Sequence, residues 1–575
     1  MELKLVYRIL RKISDWSLSE FYSEVYVEGQ DNVPQAGPLI IVASHHNEMI
    51  DIATLAATIP HRRPLCFWAK STMFKNPISR AILTSSGSIP VYRNPNSSSA
   101  LSIASSVPNS YTSKSLFTST SEALAKGEVI GVFPEGTSYT EPRIAQVKEG
   151  AAWAAVEYVR WAEEHGGLRI VPVGIVYTDK SQFQSRVSEY GEPIQLSEYA
   201  ERILSAQESE EGQRSVVKKL TIEIEERMVE LTVNAPDWNT LYISRIIRDL
   251  LWPGARGVPL NDFVHVSQKI IMSLASSPDL HLNQTLLKYY SLLHYTGLSH
   301  PTLSSILPND ALPVRVTDER VSLLTNNAPS ISSVSAWRAL RIFATNFVVT
   351  LLHPRFVFFI PPLVVHTPAY IMGNLAARFL ATKGEEEGIA QYKVIVGGVG
   401  RGLGLGAAGI SVSRFLRQLM HCSRHTSVPL CLKGLEGVVR SLGQVAQCMF
   451  CGSGWTGKVK EVAGVVGTMY LVGWALVNWH NALVGGLWKR LRASYTLVAG
   501  FISSPLPAEA VTQYCTPPPP VVNPFIKRYE PVLKEERVNA KPVAARRLIR
   551  HLLVARVEAV EALKRWDELV VCGAA

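Results

Sequence analysis

The sequence contains few cysteines and few charged residues for its length. Only 7 of 575 residues are cysteine, a density well below that of disulfide-stapled secreted scaffolds, so we expect a reducing compartment. Charged residues make up 18% of the chain against 47% apolar residues, which excludes a disordered polyelectrolyte and is enough to bury a large core. The N-terminal stretch carries no small-residue cleavage site, so the sequence predicts no secretory signal peptide.

The charge that is present has a basic excess. Lysine and arginine total 58 against 48 aspartates and glutamates, which gives a net charge of +10. Because the apolar residues occur in clusters, an anionic membrane is favoured over nucleic acid as the partner. Within residues 1–20, apolar side chains recur at helical spacing among lysines and arginines. This pattern predicts a basic amphipathic helix in a membrane interface, or alternatively a helix packed on the following domain.

Residues 21–236 alternate short β-branched runs with helical stretches, which is typical of an α/β fold. The predicted architecture is a mixed sheet flanked by helices. The Ser/Thr-rich stretch 94–120 is predicted to be a surface loop. Strands are predicted at 39–43, 89–91, 129–133 and 170–177, and helices at 149–164 and 212–233.

The rest of the chain is predicted to be mainly helical and partly membrane-associated. A helical extension covers 237–335, a membrane-associated region covers 336–500, and a Pro-rich linker with a basic amphipathic C-terminal helix, interfacial or packed on the body, covers 501–575. Prolines divide the apolar segment near 342–375 into pieces that suit an embedded hairpin, and the segment 462–488 carries no Asp, Glu, Lys or Arg. We therefore expect both segments to be embedded in a membrane.

Two further patterns lie between the apolar segments. Gly402, Gly404 and Ala407 fit the glycine pattern of a dinucleotide-binding loop, but glycines between apolar segments more often permit close packing of helices. Cysteines and histidines between His421 and Cys451 include one CxxC pair, which allows either a zinc site or unpaired reduced thiols. We expect helix packing for the first pattern and unpaired thiols for the second.

The strand predicted at 39–43 is followed by a polar stretch, and residues 43–51 have the sequence ASHHNEMID. In this sequence His46 and Asp51 are five positions apart. A strand ending at His46 and a helix starting near Asn47 would bring Asp51, one helical turn in, under the imidazole. The carboxylate would then fix the tautomer of the ring and stabilise the imidazolium, while the other ring nitrogen takes a proton from a hydroxyl. The spacing therefore predicts a general base, His46, held by Asp51.

Three further blocks follow in order, each at or beside a predicted strand: GSIPVYR at 87–93, FPEGTS at 133–138 and IVPVG at 170–174. Together with His46 and Asp51 they resemble the glycerolipid acyltransferase family, and most closely the fungal-type glycerol-3-phosphate and dihydroxyacetone-phosphate acyltransferases. The resemblance implies an α/β domain with an HxxxxD site. It also implies direct attack of an acceptor hydroxyl on the thioester of an acyl-CoA, without an acyl-enzyme.

The resemblance assigns a role to each block. It implies His46 as the general base with Asp51 as its partner, and Arg93 as a ligand of the acceptor phosphate, which a guanidinium can grip with two hydrogen bonds. It implies no metal and no cofactor, with acyl-CoA as a co-substrate, and no nucleic-acid partner. The remaining substrate-binding residues that it implies are Gly87, Glu135, Gly136 and Thr137, with Pro172 on the acyl-binding side.

The block that begins at Phe133 departs from the family pattern, and this affects the acceptor. Many family members that use lysophosphatidic acid carry an arginine directly after FPEGT, where this chain has Ser138. Arg143 and Lys148 lie a few residues downstream and are candidates for the missing positive charge. The fungal-type resemblance favours acylation of the sn-1 hydroxyl of glycerol-3-phosphate or dihydroxyacetone phosphate, with lysophosphatidic acid as the alternative acceptor.

We expect an enzyme of the endoplasmic reticulum membrane or the lipid-droplet surface that acts in phosphatidic acid synthesis. Two other functions compete with this one. A metal hydrolase would use His45, His46, Glu48, Asp51 and Glu135, but adjacent histidines on a strand point to opposite faces, and no HExxH spacing is present. A non-catalytic membrane scaffold with an acyltransferase fold would have no need to retain both His46 and Asp51.

Overall fold

The computed structural model describes residues 5–22, 24–91, 111–162, 167–178, 186–205, 210–253, 257–276, 279–307, 336–381, 387–424, 455–518, 526 and 543–573. Internal contacts divide the chain into two compact units. The first consists of Met1–Ala336, Lys383–Gln391 and Thr496–Ala575, and the second of Trp337–Thr382 and Tyr392–Tyr495.

An eight-stranded mixed sheet forms the centre of the first unit. Its strands are β1 Val25–Glu28, β2 Leu39–Ala43, β3 Leu65–Lys70, β4 Ser88–Val91, β5 Val129–Val132, β6 Arg169–Tyr177, β7 Arg186–Tyr190 and β8 Ile194–Gln195. They follow the order β1-β7-β6-β2-β5-β3-β4, and β8 pairs with β6. β2 is parallel to both β5 and β6, whereas β6 and β7 are antiparallel. The carboxyl ends of β2, β5 and β6 therefore meet at one edge of the sheet.

Helices cover the sheet and extend the first unit beyond it. Those before residue 308 are α1 Leu5–Phe21, α2 Met49–Thr58, α3 Pro77–Ser85, α4 Tyr111–Ala125, α5 Gly150–Trp161, α6 Ser197–Ser205, α7 Glu210–Glu230, α8 Trp238–Leu251, α9 Phe263–Ser276, α10 Leu280–Thr296 and α11 His300–Ile306. The sheet and these helices confirm the predicted α/β architecture.

The central strand β2 is buried along its whole length, which is why its sequence LIIVA is apolar without alternation. Ile40 and Val42 face one side of the sheet and belong to a core with the alanine-rich helix α5. Leu39 and Ile41 face the other side and belong to a core with Leu55 of α2. Burial on both faces fixes the strand, and with it the position of the residues that follow Ala43.

The predicted strands and helices of this domain are present within three residues of their expected bounds. The prediction of a loop at 94–120 is wrong from Tyr111 onward, because α4 begins there. Serines and threonines disfavour a helix when they compete for backbone hydrogen bonds. In α4, however, Thr120 and Ser121 are buried, and Thr120 accepts a hydrogen bond from the indole of Trp68 (3.3 Å), so tertiary packing outweighs the intrinsic preference.

Helix α1 has one packed face and one exposed apolar face. Tyr7 and Leu18 are buried, and the Tyr7 hydroxyl accepts a hydrogen bond from the backbone N–H of Leu65 at 3.0 Å. The packed alternative for this helix is therefore confirmed, while its membrane contact stays a prediction. The exposed stripe consists of Leu5, Ile9, Ile13 and Trp16.

The described part of the second unit contains helices only. The helices that lie wholly or partly in it are α12 Ala336–Leu352, α13 Pro354–Leu380, α14 Glu387–Arg424 and α15 Trp455–His480, then a π-helix Asn481–Trp488 and α16 Lys489–Ile502. The helical structure is interrupted at His353, between α12 and α13, as predicted. The predicted break at Pro361 and Pro362 is wrong, because α13 continues through both. A proline keeps a helical φ, so a helix can pass through it with the loss of backbone hydrogen bonds.

Two glycines of α14 lie against α13. A Cβ atom at Gly400 would clash with the carbonyl of Pro368, and one at Gly404 would clash with the carbonyl of Val365. A dinucleotide-binding loop, the less favoured interpretation of this pattern, is excluded here, because it needs a strand, a turn and a new helix, whereas α14 is continuous. The prediction of close helix packing is confirmed for these two positions. The cysteine and histidine cluster from 421 to 451 depends on side chains outside the described residues.

Among the described residues, one helical segment, Glu387–Ser411, is long and apolar enough to cross a membrane by length and composition. The predicted segments 342–375 and 462–488 are helical but do not meet that criterion. Large apolar side chains are nevertheless exposed along the second unit, among them Trp337, Leu352, Phe358, Phe379 and Tyr470. Membrane embedding stays a prediction.

The last helices lie in the first unit: α17 Ala508–Val511 and α18 Ile549–Gly573. Arg556 of α18 is 0% exposed and donates to the carbonyl of Leu307 at 2.7 Å. Glu558 of α18 accepts from Lys288 of α10 at 2.8 Å. Buried Leu552 and Leu553 complete the contact face. The prediction that this basic amphipathic helix packs on the body is confirmed.

Candidate active site

The residues directly after β2 form the centre of the candidate site. The backbone N–H of Ser44 still pairs with the carbonyl of Val173 on β6, so the strand is held up to the next residue, His45. Nδ1 of His45 lies 2.9 Å from Oδ2 of Asp51, and the ring stacks on Phe133 with 4.2 Å between ring centroids. Since a carboxylate can only accept, Nδ1 carries the proton and Nε2 keeps the lone pair. His45 is therefore arranged as a base.

The predicted pairing of His46 with Asp51 is wrong. Nδ1 of His46 lies 3.4 Å from the carbonyl oxygen of Tyr139, and its ring approaches that of Tyr139 edge-on. Successive residues at a strand end point to opposite faces, so only one of the two histidines can face Asp51. The helix begins at Met49 rather than near Asn47, and the added turn brings Asp51 back to His45, six positions away.

The turn between the strand and α2 contains a strained residue, Glu48. Its φ of 45° and ψ of −122° lie in a region that favours glycine, and Ile50 donates to the carbonyl of Asn47 across it at 3.0 Å. Strain of this kind costs about 1–3 kcal/mol and persists only where the surroundings hold it. Here the surroundings are the buried strand β2 and the buried Asp51.

We expect Glu48→Gly to be more stable than Glu48→Ala by about 1 kcal/mol, because glycine adopts this conformation without the Cβ penalty. Both variants remove the same side chain, so the difference between them isolates the backbone. Thermal unfolding of the two variants measures it. An alanine variant as stable as the glycine variant would show that the turn carries no strain.

Asp51 is 0% exposed and is held by three donors. Oδ2 accepts from His45 Nδ1 and from the backbone N–H of Asn47 (2.7 Å), and Oδ1 accepts from the hydroxyl of Tyr177 (2.6 Å). Burial alone would raise the pKa of Asp51, but the hydrogen bonds from His45, Tyr177 and Asn47 outweigh it, so the pKa is lowered. Asp51 is thus a buried carboxylate with a fixed orientation.

Glu135 lies in the tight turn after β5, where Gly136 has a φ of 77° and donates to the carbonyl of Phe133. The Glu135 carboxyl is 0% exposed, and its Oε1 accepts from the backbone N–H of His45 at 2.6 Å. Its Oε2 is buried and has no hydrogen-bond partner within the described part of the chain. Burial raises the pKa of Glu135 to about 7, against the lowering effect of the nearby Tyr139 hydroxyl and of the hydrogen bond from the His45 backbone. Glu135 therefore joins the FPEG turn to the backbone of the base.

Lys148 brings a positive charge to the same turn. Its backbone N–H donates to the carbonyl of Pro134 at 2.9 Å, and a Cβ atom at Gly136 would lie 2.5 Å from its Nζ. The side chain is exposed, so the ammonium lies at the surface of the site. The segment that leads to Lys148 is fixed by Tyr139, whose hydroxyl accepts from the backbone N–H of Ala145 (2.8 Å).

The other residues predicted for the site are not shown in contact with His45 or Asp51, or lie outside the described residues. Arg93 is outside the described residues. Gly87 precedes the edge strand β4 with a φ of 80°, and Thr137 follows the Gly136 turn and is partly exposed. Arg143 is exposed. Pro172 is buried inside β6 opposite Val42, so it lies in the sheet rather than at its edge.

The sequence interpretation missed two residues of this cluster, His45 as the partner of Asp51 and Tyr177. The signal for His45 was the pair of adjacent histidines, because His45 and His46 differ by only one residue in their spacing from Asp51. Among the described residues, no three His, Cys, Asp or Glu side chains are grouped so as to hold a metal ion. The arrangement offers a base, a fixed carboxylate and a nearby cation, which suits deprotonation of a hydroxyl on an anionic molecule.

Residues 24–176 match the Acyltransferase family model, and this stretch contains β1 to β5 and nearly all of β6, with His45, Asp51 and Glu135. Over this region the predicted resemblance to fungal-type glycerolipid acyltransferases is confirmed.

Two curated proteins of Saccharomyces cerevisiae are similar to the same part of the chain. Glycerol-3-phosphate O-acyltransferase 2 is 30% identical over 201 residues, which is 34% of this chain and 26% of that protein. Glycerol-3-phosphate O-acyltransferase 1 is 29% identical over 154 residues, which is 26% of this chain and 20% of that protein. The chain thus spans about a quarter of the length of these relatives.

A solved structure, the 1-acyl-sn-glycerophosphate acyltransferase PlsC from Thermotoga maritima, aligns with 38% of this chain and 78% of its own, at 19% identity and a TM-score of 0.26. At this TM-score the likeness carries no weight for function.

Proposed function

We propose that this protein transfers a fatty acyl group from acyl-CoA to the sn-1 hydroxyl of glycerol-3-phosphate or dihydroxyacetone phosphate. The observation that carries the proposal is the His45 ring, fixed by the buried Asp51 carboxylate beside the FPEG turn, within an acyltransferase-family region. The names of the two yeast relatives support glycerol-3-phosphate as the acceptor. No cofactor is needed beyond the acyl-CoA co-substrate.

The proposed mechanism places His45, instead of His46, as the general base. Nε2 takes the proton of the acceptor hydroxyl while the hydroxyl oxygen attacks the thioester carbonyl. Asp51 stabilises the imidazolium that forms. When the tetrahedral intermediate collapses, the carbon–sulfur bond breaks and the imidazolium returns the proton to the coenzyme A thiolate. The products are the ester and free coenzyme A, with His45 neutral again.

The acceptor phosphate is proposed to bind Lys148, together with Arg93 from the block after β4. The Lys148 ammonium lies against Gly136, on the turn that holds the backbone of His45 through Glu135. A cation there would hold the phosphate close to the base, so that a hydroxyl of the same molecule reaches Nε2. Arg143 stays a candidate, but its neighbours bind the loop at 234–235: Ile144 donates to Asn234, and Ala235 donates to Pro142.

We expect Lys148→Ala to raise the acceptor KM about tenfold or more with a smaller change in the KM for acyl-CoA, because a charge-assisted phosphate contact is lost. Arg143→Ala is the matched control, since it removes an exposed cation from the same loop. Steady-state kinetics with varied glycerol-3-phosphate measure both variants. The reverse pattern, with the larger KM change in Arg143→Ala, would move the phosphate site to Arg143.

The experiment that tests the function is acyl transfer from labelled oleoyl-CoA by membranes carrying the protein, with glycerol-3-phosphate, dihydroxyacetone phosphate and lysophosphatidic acid offered in parallel. We expect transfer to at least one three-carbon phosphate. Transfer to lysophosphatidic acid alone would make the protein a 1-acylglycerol-3-phosphate acyltransferase. Transfer to none of the three acceptors would contradict the proposal and favour the alternative function, a non-catalytic membrane scaffold.

We also propose that the protein works at a membrane, at the endoplasmic reticulum or the lipid-droplet surface, because the acyl chain of the product partitions into lipid. Two features support this: the exposed apolar stripe of α1, flanked by the exposed cations Arg8 and Lys12, and the apolar side chains exposed along the second unit. A basic rim around an apolar face matches the anionic surface of a membrane.

A further inference from the structure

Tyr177 lies at the end of β6 and closes the hydrogen-bond network behind His45. Its hydroxyl donates to Oδ1 of Asp51 at 2.6 Å. The other oxygen of Asp51 is taken by His45 and by the backbone N–H of Asn47. Because the carboxylate is 0% exposed, water cannot replace a donor that is lost. The Tyr177 hydroxyl is thus the described donor that fixes the oxygen turned away from the base.

Packing and a neighbouring hydroxyl hold the Tyr177 ring in place. Its face lies against Tyr22 at the end of α1, with 5.6 Å between ring centroids. Oγ1 of Thr54 lies 3.5 Å from the Tyr177 hydroxyl and is itself directed to the carbonyl of Ile50 at 2.6 Å. The phenol hydrogen is therefore left for Asp51, and a phenylalanine at this position would keep the ring packing.

We propose that Tyr177 is a positioning residue for acyl transfer, which acts by locking the Asp51 carboxylate in the orientation that holds the His45 ring. This rests on the proposed function, in which His45 is the base. Two effects follow from the contact. The carboxylate cannot rotate away from Nδ1, and part of its charge is drawn toward the phenol, which limits how strongly it stabilises the imidazolium. Tyr177 thereby tunes the base as well as orienting it.

The groups that face this network determine how a pH profile is interpreted. Tyr22 faces it from α1, Asp51 from α2, and Glu135 from the turn after β5, where its carboxyl interacts with both His45 and Asp51. Burial raises the pKa of Glu135 to about 7, so the titration of Glu135 overlaps the range in which an imidazole titrates. A probe that reports on His45 itself is therefore needed alongside activity.

Tyr177→Phe is the test variant, and Tyr190→Phe is the matched control. Tyr190 is also buried at the end of a strand of the sheet, but its hydroxyl contacts Thr58 (3.0 Å) rather than Asp51. We expect Tyr177→Phe to lower kcat about tenfold, to leave the acceptor KM within about twofold, and to move the acidic limb of the kcat/KM profile to higher pH by about half a unit or more. Tyr190→Phe should leave both the profile and kcat near those of the wild type.

The second measurement does not depend on acyl transfer. Diethylpyrocarbonate modifies a histidine ring only in its neutral form, so the pH dependence of its reaction at His45, followed by peptide mass spectrometry in a His46→Gln background, reports the titration of that ring. We expect the midpoint in Tyr177→Phe to move to higher pH and that in Tyr190→Phe to stay.

The outcomes separate the two proposals. A wild type without acyl transfer would overturn the proposed function. An active wild type with a Tyr177→Phe variant whose kcat and His45 titration are unchanged would overturn only the role of Tyr177. A fall in kcat without a change in the His45 titration would show that the lost hydroxyl does not act through the Asp51–His45 pair, which is also against the proposal.

Discussion

His45→Ala should lower kcat for acyl transfer about a thousandfold or more while the protein stays folded, because general-base catalysis of this kind contributes about 10²–10⁴-fold and the ring is the group that Asp51 orients. Only 16% of the His45 side chain is exposed, and its backbone bond to Glu135 does not depend on the imidazole. Loss of activity in a variant that keeps a cooperative thermal unfolding transition therefore reports the loss of the base rather than of the fold.

The adjacent histidine supplies a matched control. His46→Ala removes a ring that contacts Tyr139 instead of Asp51, so we expect less than a tenfold loss of kcat. Acyl-transfer rates and thermal unfolding of both variants decide the matter. A larger loss in His46→Ala would restore the assignment that the five-residue spacing predicts, and equal losses would show that both rings touch the reaction.

The sequence predicted the region of the site well because the information is local. The buried strand β2 and the FPEG turn can each be recognised from a few adjacent residues, and parallel strands bring their carboxyl ends to one edge. Asp51 was predicted from its spacing after the strand, Glu135 from the family resemblance and Lys148 from its position just after the FPEG block, and the structure brings them together around His45 and Gly136.

The choice between the two histidines depended on the backbone conformation at Glu48, which the sequence pattern does not reveal. Counting residues from His46 assumes that a helix follows the strand directly, whereas the left-handed backbone of Glu48 inserts a turn before Met49. A glycine at position 48 would have signalled that turn, but the residue there is glutamate. Tyr177 was missed because it is 126 positions from Asp51 and reaches it only through the pairing of β2 with β6.

The two errors outside the site have different origins. Ser/Thr-rich α4 is helical because Thr120 and Ser121 are buried, so tertiary packing outweighs the intrinsic preference of these residues. Helix α13 continues through Pro361 and Pro362 because a proline tolerates helical φ, so the prolines did not require the predicted break.

Glu135→Ala is expected to lower kcat about a hundredfold while the acceptor KM changes only a few-fold. The buried carboxyl holds the backbone N–H of His45 at 2.6 Å, and its removal leaves that donor buried and unpaired next to the base. The family resemblance predicts the opposite split, because a glutamate that binds the acceptor would affect mainly the acceptor KM. Steady-state kinetics with varied glycerol-3-phosphate distinguish the two, and a KM that rises while kcat is kept would place Glu135 on the substrate.

Glu135→Gln separates charge from shape, since the amide oxygen can still accept from His45. Burial raises the pKa of Glu135 from 4.5 to about 7, so between these values the unfolded chain loses this proton while the folded protein keeps it. The wild type should therefore lose about 3 kcal/mol of stability as the pH rises from about 4.5 to 7, and the glutamine variant should lack that part of the pH dependence. Thermal unfolding of the full chain at pH 5 and pH 8 measures the difference, and wild-type and variant curves that shift in parallel would mean that Glu135 is ionised throughout. A neutral Glu135 at low pH could still hold His45 through its carbonyl oxygen, so the stabilising contact and the cost of its charge are separate properties of one side chain.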